Sequence, residues 1–236
     1  MIAQVKTQAG TVYYTAVFAI FGKGSSCTVI GFDENFETLQ CIPFYASPNH
    51  YRQQVMIVET TRDNWVQDGD LEGYDWIVYD KKRLEHIRLG RLLHPDFVAR
   101  GKALQDEVNV PEWWEVTDQK TANDIRWATA DFHDAVILSM EQTETDAILQ
   151  FEIWGGTALL RLENAEFHKL CEIGAHGEEF YSAHITFEGG KVHFRGYGSE
   201  VDEDDAEEGL RPMIFHFSCA RLYWKVELET VTFDQF

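Results

Sequence analysis

The sequence predicts an α+β protein. A mixed N-terminal region with a strand meander and two short helices covers residues 1–125, and an antiparallel β region covers residues 126–236. Three observations predict it. The first third alternates runs rich in β-branched and aromatic residues with turn-forming clusters. Helical spacing sets in after Asp80. Two glycine-pair hairpins can be read residue by residue beyond position 146.

In the N-terminal region, Thr11–Phe21 reads as a strand and Gly22-Lys23-Gly24-Ser25-Ser26 as a turn. Cys27–Phe32, Leu39–Tyr45 and Val55–Glu59 are further strands. Asp80 can cap a helix that begins at Lys81, on which Leu84, Ile87 and Leu92 recur near helical spacing. Pro95 suits the first turn of a second helix reaching about Leu104. The polar stretch between Asn109 and Asp124, with Pro111 and the pair Trp113-Trp114, reads as a linker, and the tryptophans as core beneath it.

From Trp127 onward the pattern is β. A turn at Gly155-Gly156 would set Leu149 opposite Leu162, Phe151 opposite Leu160 and Ile153 opposite Ala158. All six then share one face, with Gln150, Glu152 and Arg161 on the other. A turn at Gly189-Gly190 would pair Phe187 with Val192, Ile185 with Phe194, and Glu188 with Lys191. His184, Thr186, His193 and Arg195 then share the outer face. Met213–Cys219 and Leu222–Phe233 supply two more strands.

The chain carries 20 Lys and Arg against 40 Asp and Glu, a formal charge of −20. Residues 1–125 contribute −6 and residues 126–236 contribute −14. Such a field repels nucleic-acid phosphates and anionic membranes and attracts basic surfaces. The densest stretch holds seven carboxylates: Glu200, Asp202, Glu203, Asp204, Asp205, Glu207 and Glu208. It lies between two strands, so an exposed loop is expected. It lacks the ligand order and central glycine of an EF-hand, and docking onto a Lys/Arg-rich partner fits it better than calcium. The basic cluster from Lys81 to Lys102 lacks interleaved aromatics and reads as an outer helix face rather than an RNA site.

No phosphate loop, nucleophile elbow or C-x-x-C is written in the chain. Cys27, Cys41, Cys171 and Cys219 are far apart and read as free thiols of a reducing compartment. Val12–Phe21 is too short to span a bilayer, and a cytoplasmic location is expected. Two sets of side chains remain as candidates. His133 and Asp134 open the first strand of the β region. Adjacent strand residues point to opposite faces, so a bond from each to local backbone is the plainer expectation. His184 and His193 are weak candidates for a metal site on one sheet face. No cofactor is expected.

The stretch Phe132-His133-Asp134-Ala135, followed by strands at Val136–Met140, Ile148–Ile153 and Leu159–Asn164, resembles a family of uncharacterised bacterial proteins with an F-H-D-A or F-H-D-S motif. Similar β scaffolds occur among immunity proteins of bacterial polymorphic toxin systems. The resemblance covers under half the chain and implies no catalytic residues. The −14 charge of the β region, with no nucleophile or metal signature, leads to the expectation of a non-enzymatic, immunity-like protein that neutralises a basic partner such as a toxin or nuclease. A metal-dependent protein using the C-terminal histidines, and a purely structural or regulatory domain, are the alternatives.

Overall fold

The computed structural model describes residues 1–7, 9–23, 26–43, 54–59, 65–71, 74–80, 95–153, 156–174, 177–198 and 211–228. Among them are seventeen strands and two α-helices. The architecture is therefore largely antiparallel β rather than a balanced α+β. The helix expected from Lys81 falls outside the described residues, and the segment before it, Tyr74–Asp80, is a strand. Two compact units form, one from Met1–Val110 and one from Pro111–Glu229.

The first unit holds two sheets. β1 (Ile2–Lys6) lies between β2 (Val12–Ala16) and β6 (Gln54–Glu59). The second sheet runs β5-β4-β3-β8-β7, with β3 at Ala19–Lys23, β4 at Ser26–Phe32, β5 at Leu39–Pro43, β7 at Trp65–Leu71 and β8 at Tyr74–Asp80. The run Thr11–Phe21 is thus two strands, broken at Val17-Phe18 so that its halves join different sheets. Ala3, Val5, Tyr13, Ile20, Val29, Ile42 and Ile57 bury into one core drawn from both sheets.

Helix α1 (Pro95–Gln105) packs against this unit. Val98 and Leu104 pack against the buried cluster of Ala16, Phe18, Ala19, Ile30, Phe32 and Leu39. At its end Gln105 acts as a short piece of strand. Its Nε2 donates to the Tyr14 carbonyl at 2.9 Å. Its Oε1 accepts from the Ala16 N–H at 2.9 Å.

Thr15 is fully buried, and its hydroxyl accepts from the Phe32 N–H at 2.7 Å and donates to the Ala16 carbonyl. The Tyr13 hydroxyl donates to the Phe32 carbonyl at 3.0 Å, and burial pushes its pKa up to about 12. Replacing Thr15 by Val keeps the shape but strands the Phe32 N–H. Thr15→Val is expected to lower the stability of the first unit by about 1–3 kcal/mol, read as a lower urea midpoint at unchanged slope.

The second unit is a sandwich. One sheet runs β10 (Val136–Gln142), β11 (Ala147–Ile153), β12 (Gly156–Glu163), β17 (Arg221–Leu228), β9 (Trp114–Val116). The other runs β13 (Glu166–Lys169), β16 (Met213–Cys219), β15 (Lys191–Gly198), β14 (Phe180–Glu188). Aromatic side chains from both inner faces interlock. Phe151 of β11 lies 5.8 Å from Phe194 of β15, and Phe194 stacks on Phe217 at 5.2 Å. Strand alternation produces this directly: Ala147, Leu149, Phe151 and Ile153 are buried while Ile148 and Glu152 are exposed.

The β14–β15 hairpin has the expected register, with Phe187 opposite Val192, Ile185 opposite Phe194 and Glu188 opposite Lys191. The β11–β12 hairpin is displaced by two residues from the expected one. Leu149 faces Leu160, Phe151 faces Ala158 and Ile153 faces Gly156. Gly156 is claimed by the strand because it lies against β17, where a Cβ would sit 2.3 Å from the Glu227 carbonyl oxygen. A two-residue displacement preserves the faces, so the apolar sorting survives.

The stretch that reads as a linker supplies β9 and helix α2 (Gln119–Ala128) to the second unit. Asp118 and Thr121 form a capping box, and the Thr121 N–H and hydroxyl hold the Asp118 carboxyl below its usual range. Trp114 is the core half of the tryptophan pair and stacks on buried Trp224 at 6.1 Å. Gln119 repeats the device of Gln105. Its Nε2 donates to the Ile185 carbonyl at 3.1 Å, and its Oε1 accepts from the Phe187 N–H at 2.9 Å.

Candidate functional site

Beyond Thr129, which closes α2, the chain makes a turn that L-residues rarely make. Ala130, Asp131 and Phe132 have φ of 50°, 58° and 57°, and Asp134 has 59°. Each left-handed residue without a special partner costs about 1–2 kcal/mol. Neighbouring contacts hold the conformation. Phe132 is fully buried between Phe151 at 4.9 Å and Phe194 at 5.1 Å. Arg126 Nε donates to Asp131 Oδ1 at 2.6 Å. The Asp134 N–H donates to the Phe180 carbonyl, and the Phe180 N–H to the Ala135 carbonyl.

The four motif positions therefore have separate physical roles. Phe132 and Ala135 are buried anchors, and His133 and Asp134 are thrown outward between them. His133 Nδ1 and Asp134 Oδ1 are 2.7 Å apart, with side chains 51% and 63% exposed. The expectation that neighbours on a strand would not meet fails because this is no strand: the left-handed Asp134 swings its carboxylate back toward His133. Asp134 thus engages Nδ1 of a half-exposed ring. Beside them, the Tyr181 ring lies 5.1 Å from His133, and the Arg211 guanidinium lies 3.2 Å from the Tyr181 ring centre. Exposed Glu178 and Glu179 lead into Phe180, on the strand bonded to this turn.

His184 and His193 both stand on the outer face of the β13-β16-β15-β14 sheet, opposite Arg195 and Thr186. The structure groups His193 with other histidines. Its ring is 6.4 Å from His216, and His216 is 4.5 Å from His168. His184 instead neighbours Tyr197. His168 reaches this group because β13 pairs with β16, a juxtaposition that local spacing does not announce. Among the described residues no three His, Cys, Asp or Glu side chains are placed to share a metal ion.

The His216 Nε2 is covered and has no hydrogen-bond partner, while His168 Nε2 meets the Ser218 hydroxyl at 3.0 Å. Burial first, then His168, Arg195 and His193, hold His216 below the usual histidine pKa. Because folding disfavours the protonated form, the folded state binds fewer protons than the unfolded chain, and its stability is greater above the unfolded value near 6.5. Stability is lost as pH falls from there through the lowered folded value. His216→Phe is expected to flatten this part of the profile, read from urea midpoints between pH 7.5 and about 5.

The acidic residues Glu200, Asp202, Glu203, Asp204, Asp205, Glu207 and Glu208 lie outside the described residues, as do Lys81 to Arg91 of the basic cluster. Cys41, Cys171 and Cys219 are free thiols. Burial pushes Cys219 up to about 12 and Cys171 up to about 11, so both are protonated at neutral pH. No helix among the described residues is long and apolar enough to cross a membrane. No family model, curated protein or solved structure matches this chain.

Proposed function

We propose that this chain is a non-enzymatic binding protein of immunity type, whose acidic second unit engages a basic protein partner such as a toxin. The observation that carries the reading is charge: −20 overall, of which −14 falls in residues 126–236. A surface of this sign raises the encounter rate with a basic partner and rejects polyanions. The turn at Phe132–Ala135 supports the reading by its anchoring through buried Phe132 and Ala135 and the backbone bonds to Phe180. It presents Asp134 on a fixed backbone beside exposed Glu178 and Glu179.

Capture from a host extract at low and moderate salt tests this. A basic protein is expected to be retained at low salt and weakened at moderate salt. The triple variant Asp134→Lys, Glu178→Lys, Glu179→Lys, shown by its melting curve to be folded, is expected to lose it. Retention of no basic protein at either salt overturns the reading, as does equal retention by the variant. Stoichiometric zinc, manganese or iron in the purified protein would favour the metal-dependent alternative.

A further inference from the structure

The outer face of the β10-β11-β12-β17-β9 sheet carries three cations, and they are not treated alike. Arg221 Nε donates to Glu115 at 2.9 Å, and its Nη1 reaches Glu163 at 3.4 Å. Lys225 meets Glu227 at 3.0 Å. Arg161, on the central strand β12, has no carboxylate or carbonyl partner among the described residues. Its guanidinium lies over two aromatic faces, 4.3 Å from the Tyr223 ring centre and 5.1 Å from that of Trp113, rings that Arg221 (4.9 Å) and Lys225 (5.1 Å) also approach in addition to their carboxylates. The Nε of Arg161 is sealed from solvent and makes no hydrogen bond.

This arrangement is costly in a protein with twice as many acidic as basic side chains. A guanidinium stacked on aromatic rings is held flat, with its N–H groups directed outward in its own plane. Stacking satisfies the face of the cation and leaves its edge without an acceptor. A buried donor left without an acceptor is destabilising, and because Nε is sealed, a partner arriving from solvent is met by the two Nη groups at the end of the guanidinium. Acidic side chains are abundant on this same face, yet they close on Arg221 and Lys225.

We infer that Arg161 is the anchor of a ligand site, and that the ligand is a small monocarboxylate carried on an apolar group. The planar fork of a guanidinium matches a carboxylate edge to edge, with two parallel bonds. The apolar part follows from the neighbours: Ile148, directly opposite Arg161 on β11, is 39% exposed, and half-buried Leu159 stands two residues along on the same face. Single charge follows from the carboxylates Glu115 and Glu163, which already compensate Arg221 and would repel a phosphate dianion. The site is separate from the acidic surface assigned to the partner, and it stands whether or not that assignment does.

The test compares the full chain with Arg161→Met, which keeps the apolar stem and removes the fork. Benzoate and hexanoate are titrated while the arginine Nε–H resonance absent from the Arg161→Met spectrum is followed by NMR. Benzamide and inorganic phosphate serve as the neutral and dianionic comparisons. Expected is a saturable downfield shift of that resonance with either carboxylate, and a loss of affinity of about tenfold or more in Arg161→Met, the worth of a charge-assisted pair. Without ligand, Arg161→Met is expected to melt at the same temperature or a few degrees higher, because the orphaned donor is gone. No saturable shift in the natural protein, an equal carboxylate response in the variant, or an equal response to benzamide overturns the site. Phosphate bound more tightly than benzoate overturns the carboxylate assignment. A lower melting point in Arg161→Met, with no carboxylate response in the natural protein, assigns Arg161 a packing role only.

Discussion

Phe132→Ala is expected to destabilise the second unit by about 3–5 kcal/mol, the range for removing a fully buried aromatic ring. Phe132 fills the space between Phe151 and Phe194, which come from opposite sheets of the sandwich. Its loss leaves a cavity at the point where the two sheets meet. It also removes the contact that holds three successive left-handed residues in place. The backbone is then expected to relax, and His133 to separate from Asp134. Two measurements separate these effects. Urea unfolding reports the stability loss, and 15N chemical shifts of the His133 ring report whether Nδ1 still holds its proton against Asp134. Phe132→Leu, which retains most of the volume, is expected to lose less stability and to keep the histidine signal. An Ala variant with native stability would mean that Phe132 does not anchor the turn.

The second large effect is expected at Gly156. A methyl group there would lie 2.3 Å from the Glu227 carbonyl oxygen and 3.1 Å from its carbon. Both are backbone atoms of the neighbouring strand, so no side-chain rotation relieves the overlap. Gly156→Ala is expected to cost about 1–3 kcal/mol or more through forced separation of the strands. The damage should be local. Amides of β17 near Val226 and Leu228 are expected to exchange faster with deuterium, while those of β15 and β16 keep their protection. Uniform protection across β17 in a normally stable variant would show that the strands absorb the extra group.

Both results bear on what was legible in the sequence. The β14–β15 hairpin could be read to the residue because its turn glycines have no competing duty: Gly189 and Gly190 take φ of 60° and 77° with nothing near their missing side chains. The β11–β12 hairpin offered a similar glycine pair, but Gly156 answers to β17, a strand more than sixty residues later in the chain. Turn propensity is local, and the close approach that displaces it is not. The same holds for the outer faces. Alternation along β15 put His193 and Arg195 outward correctly, yet the neighbours His168 and His216 come from pairing orders that no local pattern records. At Phe132–Ala135 the residue types were visible and the geometry was not. Alternation presumes extended backbone, and four left-handed residues within five positions remove that presumption. The tryptophan pair divided for the opposite reason. Short β9 is ordinary strand, so Trp114 turns to the core and Trp113 to the other face.

Gln105 and Gln119 belong to different units and do the same work. Each sets a primary amide across residues i and i+2 of a strand that ends its sheet, β2 in one case and β14 in the other. An amide side chain is a peptide group that cannot be extended. It takes the hydrogen-bonding positions a further strand would use, and it offers no next residue to continue the ladder. Two sheet edges, one in each unit, are thus plugged from within by a single side chain. A chain in which both glutamines were leucine would retain its cores, but two copies could then zip edge to edge.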